Sequence, residues 1–486
     1  MRRRELLELA AGFAAASLQT GRGQDGNASP ARFTSQNGIL DAVLEPYIFF
    51  RQVLGRRYKL LNYNGLIPGP ILEARPGDVV RLLVRNSLDH VTNLHFHGLH
   101  VTPGGSGDNV LLRIERDQSF LYLFQIPSYH PAGLYWFHPH IHGLSGAQVR
   151  SGLAGVFSIR GDFDGIGDLP EATEYDIVYQ TLDYFVLDEL HSAEAHVHHP
   201  PPADEPPSLV MINGVPQLDS QANVTRTLNV LQGGLLRLRI LNASANRIIR
   251  LGLRTPAPGR QHLSYLIATD GHPVAQPVRI DELVMAPGQR AELLVKTDQR
   301  EGRFHLMELP YSPIADFIQP SAPIARVTFE YSGTAPRELQ IPDKLQDVEP
   351  LPPSGRPVRS IQFTQDPERN EFSINGLRFD PNRVDIRVPL GAIEDWDLFN
   401  NTILDHTFHL HTNAFQVVEA AGTVQTVWRD SVALERGQAM RVRVAFLDFS
   451  GQTVLHCHVL GHEDHGMMQL MEMLGPFPPG ARTGRP

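Results

Sequence analysis

Apolar and polar residues alternate with a period of two along most of the chain, and sustained helical periodicity is scarce, so the pattern predicts an almost entirely β protein. The alternation comes in three copies of one unit. Asn64-Gly65 precedes Gly77-Asp78 and the run Val79-Val80-Arg81-Leu82-Leu83-Val84-Arg85-Asn86. Ile212-Asn213-Gly214 precedes Gly233-Gly234 and Leu235-Leu236-Arg237-Leu238-Arg239-Ile240-Leu241-Asn242, and Ile374-Asn375-Gly376 precedes Gly391 and an alternating run to Asn400. Each copy reads as a turn, a glycine corner and a half-buried strand closed by asparagine. Three copies predict three Greek-key β-sandwiches, placed at 31–165, 166–340 and 341–486. The breaks are expected near Gly161 to Glu171 and in the Pro-rich stretch from Ala335 to Pro357.

A length of 486 residues suits three domains of ordinary size. The net charge of −10 argues against nucleic acid or an anionic membrane as the main partner. No segment reads as a membrane span, and the expected form is a monomer. Residues 1–30 stand apart: Arg2-Arg3-Arg4-Glu5-Leu6-Leu7 leads into an Ala-rich apolar stretch, the pattern of a twin-arginine export signal with a disordered tail. That pattern implies a periplasmic or secreted protein, with a disordered basic tail as the alternative reading.

Cysteine occurs once, so no intrachain disulfide can form. Cys457 lies in His456-Cys457-His458, with His462 and Met467 close behind. Side chains of a strand alternate faces, so His456 and His458 point one way and Cys457 the other. One strand can then serve two metal centres back to back. Thiolate, imidazole and thioether from Cys457, His462 and Met467, with one more imidazole, make a blue-copper electron-transfer site. In His406-Thr407-Phe408-His409-Leu410-His411, parity separates His406 from His409 and His411, so His406 is the missing imidazole. Two further same-face pairs, His95/His97 and His138/His140, occur near the N-terminus. His95, His97, His138, His140, His409, His411, His456 and His458 make eight imidazoles, too many for one ion and suited to three coppers with positions open for oxygen. Zinc fits poorly, since its sites close with four ligands or keep three.

The four segments resemble, in order, the four copper-binding motifs of the multicopper oxidases, the family of laccases, bilirubin oxidases, ferroxidases and bacterial copper-efflux oxidases. The similarity runs from about residue 45 to residue 475 and implies three cupredoxin-like domains. It also implies four copper ions: type 1 at His406, Cys457, His462 and Met467, type 2 at His95 and His409, and a type 3 pair. One type 3 ion falls to His97, His138 and His458, the other to His140, His411 and His456. Domains one and three would then share the trinuclear cluster, and the middle domain would supply no ligand.

The implied activity is laccase-like. A phenolic or aromatic amine donor gives up single electrons against an exposed edge of His462, and dioxygen is reduced to water at the cluster. An axial Met467 implies a low to middle potential and easily oxidised donors. Competing readings are a cuprous or ferrous oxidase for metal homeostasis and a non-catalytic scaffold of the same fold; no methionine-rich cluster supports the cuprous one. Asp108 and Glu463 match positions where relatives keep carboxylates for proton supply or oxygen-bond cleavage, with a turn residue and a solvated acid as the plainer alternatives. Asp405 is expected to orient His406. His142 is assigned to packing or support of a ligand, and His100 and His465 to structure. The run His191, His196, His198, His199 before Pro200 reads as a loop with a lesser claim on metal. Two departures from the family pattern are Thr412, where relatives often have glycine, and the Gly-rich stretch Pro103 to Gly107 before Asp108.

Overall fold

The computed structural model describes residues 31–53, 56–182, 209–217, 226–255, 261–297, 302–311, 320, 322–369, 371–419 and 422–475. The export-signal pattern at 1–30 and the histidine run at 191–199 lie outside them.

Three pairs of stacked sheets follow one another along the chain. The first pairs a five-stranded sheet, ordered Arg32–Thr34, Ile71–Ala74, Gly155–Ile159, Gly133–His138 and His95–His97, with a three-stranded one, Ile39–Leu44, Val79–Arg85 and Ser119–Gln125. The middle pair has seven and five strands and the last has six and five. Each pair encloses its own apolar core, built from the inward residues of the alternating runs. The expected all-β architecture of three cupredoxin-like domains is the one observed. Between the last strand of each domain and the first of the next lie two 3-10 turns at Asp162–Gly165 and Leu169–Glu171, and an irregular stretch from 335 to 358.

The repeat is physical as well as textual. Asn64, Asn213 and Asn375 all adopt left-handed φ, 55°, 49° and 54°, in the turns where Asn-Gly is favoured. Each side chain clasps a neighbouring strand from both sides: Asn213, for example, accepts the Val178 N–H and donates to the Asp176 carbonyl. Asn86, Asn242 and Asn400 close their strands identically, each donating to two carbonyls and accepting the N–H two residues ahead.

Two short helices, Ser145–Arg150 of the first domain and Leu460–Asp464 of the third, meet where those domains touch. The Asp464 carboxylate accepts the Ser145 and Gly146 N–H groups at 3.1 and 2.8 Å. Among the described residues, no helix is long and apolar enough to cross a membrane.

Candidate metal centres

Strand His406–Leu410 runs antiparallel to Gly451–Cys457, with Phe408 opposite Cys457 and His409 opposite His456. This register decides everything that follows. His406 and Cys457 turn into the core of the third domain, and His409 and His456 turn toward the first. After Cys457 the chain bends into helix Leu460–Asp464, which returns His462 to the cysteine side. His406 Nδ1 lies 3.3 Å and His462 Nδ1 3.8 Å from Cys457 Sγ, and the two nitrogens are 2.9 Å apart. All three side chains are buried, and their ligand atoms could share one ion. Met467 is buried in the same core, and its carbonyl accepts the Cys457 N–H at 3.0 Å.

On the opposite face the eight remaining imidazoles form one buried cage between the first and third domains. His95 stacks on His411 and His97 on His409, each at 3.8 Å between ring centroids, so the two domains interleave. The Nε2 atoms of His140 and His411 converge on that of His456 at 3.2 and 3.0 Å. Three all-histidine triads could each hold an ion: His95, His97 and His138; His95, His409 and His411; His140, His411 and His456.

Three family models, each described as multicopper oxidase, match residues 51–163, 183–333 and 352–473. The chain belongs to the multicopper oxidase family. It is 26% identical over 425 residues to the multicopper oxidase mco of Staphylococcus aureus, covering 84% of this chain and 82% of that protein. To the multicopper oxidase MmcO of Mycobacterium tuberculosis it is 25% identical, covering 96% and 95%. Among solved structures, a Campylobacter jejuni multicopper oxidase described as a metallo-oxidase superimposes with a TM-score of 0.74 at 26% identity, covering 91% of this chain and 93% of that one. The McoA multicopper oxidase of Aquifex aeolicus gives 0.76 at 22% identity, covering 92% and 99%, a likeness of fold.

Copper, which the family implies, fits the residues present. Nε2 of His95, His138 and His409, Nδ1 of His97 and His411, and both ring nitrogens of His458 are buried without a hydrogen-bond partner. Unpartnered buried polar atoms cost roughly 1–3 kcal/mol each, so a shared cation is the economical explanation of so many in one place. Burial, reinforced by neighbouring imidazoles, lowers the pKa of His95, His97, His138, His411, His456 and His458 well below the usual value, keeping the rings neutral as ligands must be. Burial also pushes the Cys457 thiol up to about 12, so a thiolate there needs a bound cation to hold it.

Both predicted carboxylates reach the multicopper oxidase cage. Asp108 Oδ1 lies 2.9 Å from His95 Nδ1 and accepts the Phe96 N–H at 2.8 Å. The Gly-rich stretch before it closes on itself, with Asp108 N–H bonded to the Thr102 carbonyl, and that turn aims the carboxyl inward. Glu463 is fully buried rather than solvated: its Oε1 accepts the Ser145 hydroxyl at 2.9 Å and its Oε2 lies 3.2 Å from His456 Nδ1. Burial raises Asp108 to about 8; it raises Glu463 well above the carboxylate range, with the charge of Asp464 adding to the effect.

The expectations for His462 and Asp405 are corrected. His462 is buried, 2% accessible rather than edge-exposed, with Phe372, itself buried, stacked on its ring at 4.1 Å. Asp405 turns its Oδ1 to the Arg436 N–H, and the group on His406 Nε2 is Thr402, at 2.7 Å. The Thr402 hydroxyl donates within the Asn400 loop and accepts the Leu404 N–H, so it is an acceptor for His406 and leaves Nδ1 for the metal. His100 bridges the Thr412 carbonyl and Asp448, both at 2.7 Å, a structural role. His142 packs on Phe379, and His465 Nδ1 meets the Gly461 carbonyl. Sequence reasoning missed Asp430 and Ser431, which hold His97 and His409 from behind.

Proposed function

We propose that this multicopper oxidase couples one-electron oxidation of phenolic or aromatic amine donors to the four-electron reduction of dioxygen to water. The observation that supports it most is the placing of Cys457 between His456 and His458, with the sulfur beside His406 and His462 and the flanking rings in the eight-imidazole cage. Four copper ions would supply the redox chemistry: type 1 held by His406, Cys457, His462 and Met467, type 2 by His95 and His409, and type 3 by His97, His138 and His458 and by His140, His411 and His456. The peptide links from Cys457 to its neighbours give an electron a short bonded path between the two sites. Asp108 and Glu463 lie behind ligand imidazoles, where each can hold a proton for oxygen reduction. His462 and the Phe372 ring stacked on it are both buried, so a donor would pass electrons through protein rather than by touching the imidazole. The export pattern supports a periplasmic or secreted protein, and the repeats support domain limits at 31–165, 166–340 and 341–486.

A second reading, oxidation of cuprous or ferrous ions, is favoured by the likeness to the Campylobacter jejuni metallo-oxidase. Oxygen uptake by copper-loaded protein with a phenol, ferrous ion and cuprous ion separates them, with Cys457→Ser as control. Fastest turnover with the phenol is expected. Turnover with metal ions alone would favour the second reading, and uptake that survives Cys457→Ser would defeat both.

A further inference from the structure

The middle domain supplies none of the predicted ligands, yet its side chains grip Asp430 and Ser431, which hold two of those ligands from behind. Its Asp270-Gly271 turn, with φ of 46° and 80°, wedges between the other two domains. The Gly271 carbonyl accepts the Tyr135 hydroxyl at 2.9 Å, and a Cβ on Gly271 would lie 2.3 Å from the Tyr135 ring. Asp270 Oδ1 accepts the Arg290 N–H, and its Oδ2 accepts the N–H groups of Asp430 and Ser431, both at 3.3 Å.

Arg290 touches all three domains at once. Its guanidinium donates to the Leu134 carbonyl of the first domain at 3.2 Å and the Gly288 carbonyl of its own at 3.1 Å. The third-domain contact is two-pronged, with Nη1 and Nη2 on the Asp430 oxygens at 2.9 and 2.6 Å. Both partners are buried, so neither charge is screened by water. No room is left around the pair: a Cβ on Gly98, directly after His97, would lie 2.2 Å from Arg290 Nη2, and one on Gly288 would lie 2.9 Å from the His97 ring.

Asp430 passes this anchoring on. Its Oδ1 meets His97 Nε2 at 3.1 Å, and its carbonyl oxygen accepts from His409 Nδ1 at 2.9 Å. The Ser431 hydroxyl, which donates to Asp430 at 2.8 Å, lies 3.0 Å from the same His409 nitrogen. With those nitrogens committed as donors, His97 Nδ1 and His409 Nε2 are the atoms left without a partner. One ring comes from each outer domain, so fixing both fixes the cage across the joint.

We propose that Arg290, braced by Asp270, is a positioning residue for the oxygen-reducing cluster, setting the orientation of His97 and His409 through Asp430 and Ser431. This rests on the copper reading above. The test compares wild type, Arg290→Lys and Arg290→Met, all copper-loaded. Lysine keeps the charge and loses the fork; methionine loses both. Visible thiolate-to-copper absorption and anaerobic reduction by a phenol read the cysteine site. The type 2 electron paramagnetic resonance signal and the rate of reoxidation by oxygen read the cage. Both variants are expected to keep the first two at wild-type values, to shift the type 2 signal, and to slow reoxidation roughly 10- to 100-fold, as loss of groups supporting metal ligands does, with methionine the worse. A wild-type type 2 signal and reoxidation rate in the lysine variant would overturn the proposal even if the methionine variant fails to fold. Parallel loss of the visible absorption and the type 2 signal would also overturn it, by reducing Arg290 to a clamp between domains. Absence of visible absorption in the wild type itself would instead bring down the copper reading beneath it.

Discussion

Thr402 offers the sharpest single-atom test of the cysteine site. Thr402→Val keeps the shape and removes only the hydroxyl, which lies 2.7 Å from His406 Nε2 and 3.1 Å from the Leu404 nitrogen. Both donors lose this acceptor, and the position is buried, so water cannot easily replace it. At roughly 1–3 kcal/mol for each of the two donors left unpaired, the variant should lose about 2–6 kcal/mol. For a domain of this size that lowers the melting temperature by on the order of 5–20 °C. His406 also loses the acceptor that holds its proton on Nε2, so the visible absorption and the type 1 paramagnetic resonance signal should shift, while Thr402→Ser restores both. Calorimetry and absorption on copper-loaded wild type, Val and Ser variants decide it. A Val variant with wild-type melting and spectrum would refute the assignment of Thr402 as the partner of His406.

Three further outcomes are expected. Asp108→Asn should slow reoxidation by oxygen roughly 10- to 100-fold while anaerobic reduction of the cysteine site stays unchanged, and stopped-flow measurement showing equal slowing of both would contradict it. Phe372→Ala should leave a cavity beside the His462 ring, shifting the visible absorption at a stability cost of about 3–5 kcal/mol; wild-type melting and absorption would count against packing of this ring on the ligand. Stripping copper with a chelator should lower the melting temperature, since a ligand held a thousandfold above its Kd stabilises by about 4 kcal/mol, and identical melting of both forms would show that the cage needs no cation.

The gathering of these side chains into a cysteine cluster and a histidine cage was legible because it obeys strand parity, a property of adjacent residues. His406 against His409, and Cys457 between its histidines, needed no knowledge of distant chain. The three asparagine-glycine units were readable for the same reason, and the structure gives all three the same bonds. Partners across the sheets were not readable. Arg290 and Asp430 are separated by 140 positions, and their close approach beside Gly98 appears only in the fold. Adjacency also misled: Asp405 stands beside His406, yet the Asn400 loop curls Thr402 onto the ring. Nothing local marks Phe372 as the ring stacked on His462, because that contact forms only when a strand and a helix far apart in sequence assemble. Thr412 shows the converse. Its φ of 69° is the left-handed backbone that glycine accepts readily, which accounts for glycine suiting this position and implies strain for the threonine.

The register of Phe408 against Cys457 has an evolutionary corollary. Sliding either strand by one residue would invert every side chain, sending the sulfur toward the oxygen pocket and histidines into the apolar interior. A single-codon insertion or deletion in this pair would therefore disable electron entry and oxygen consumption together. Lineages can reshape the loops around this ribbon, but the ribbon itself can be inherited only whole.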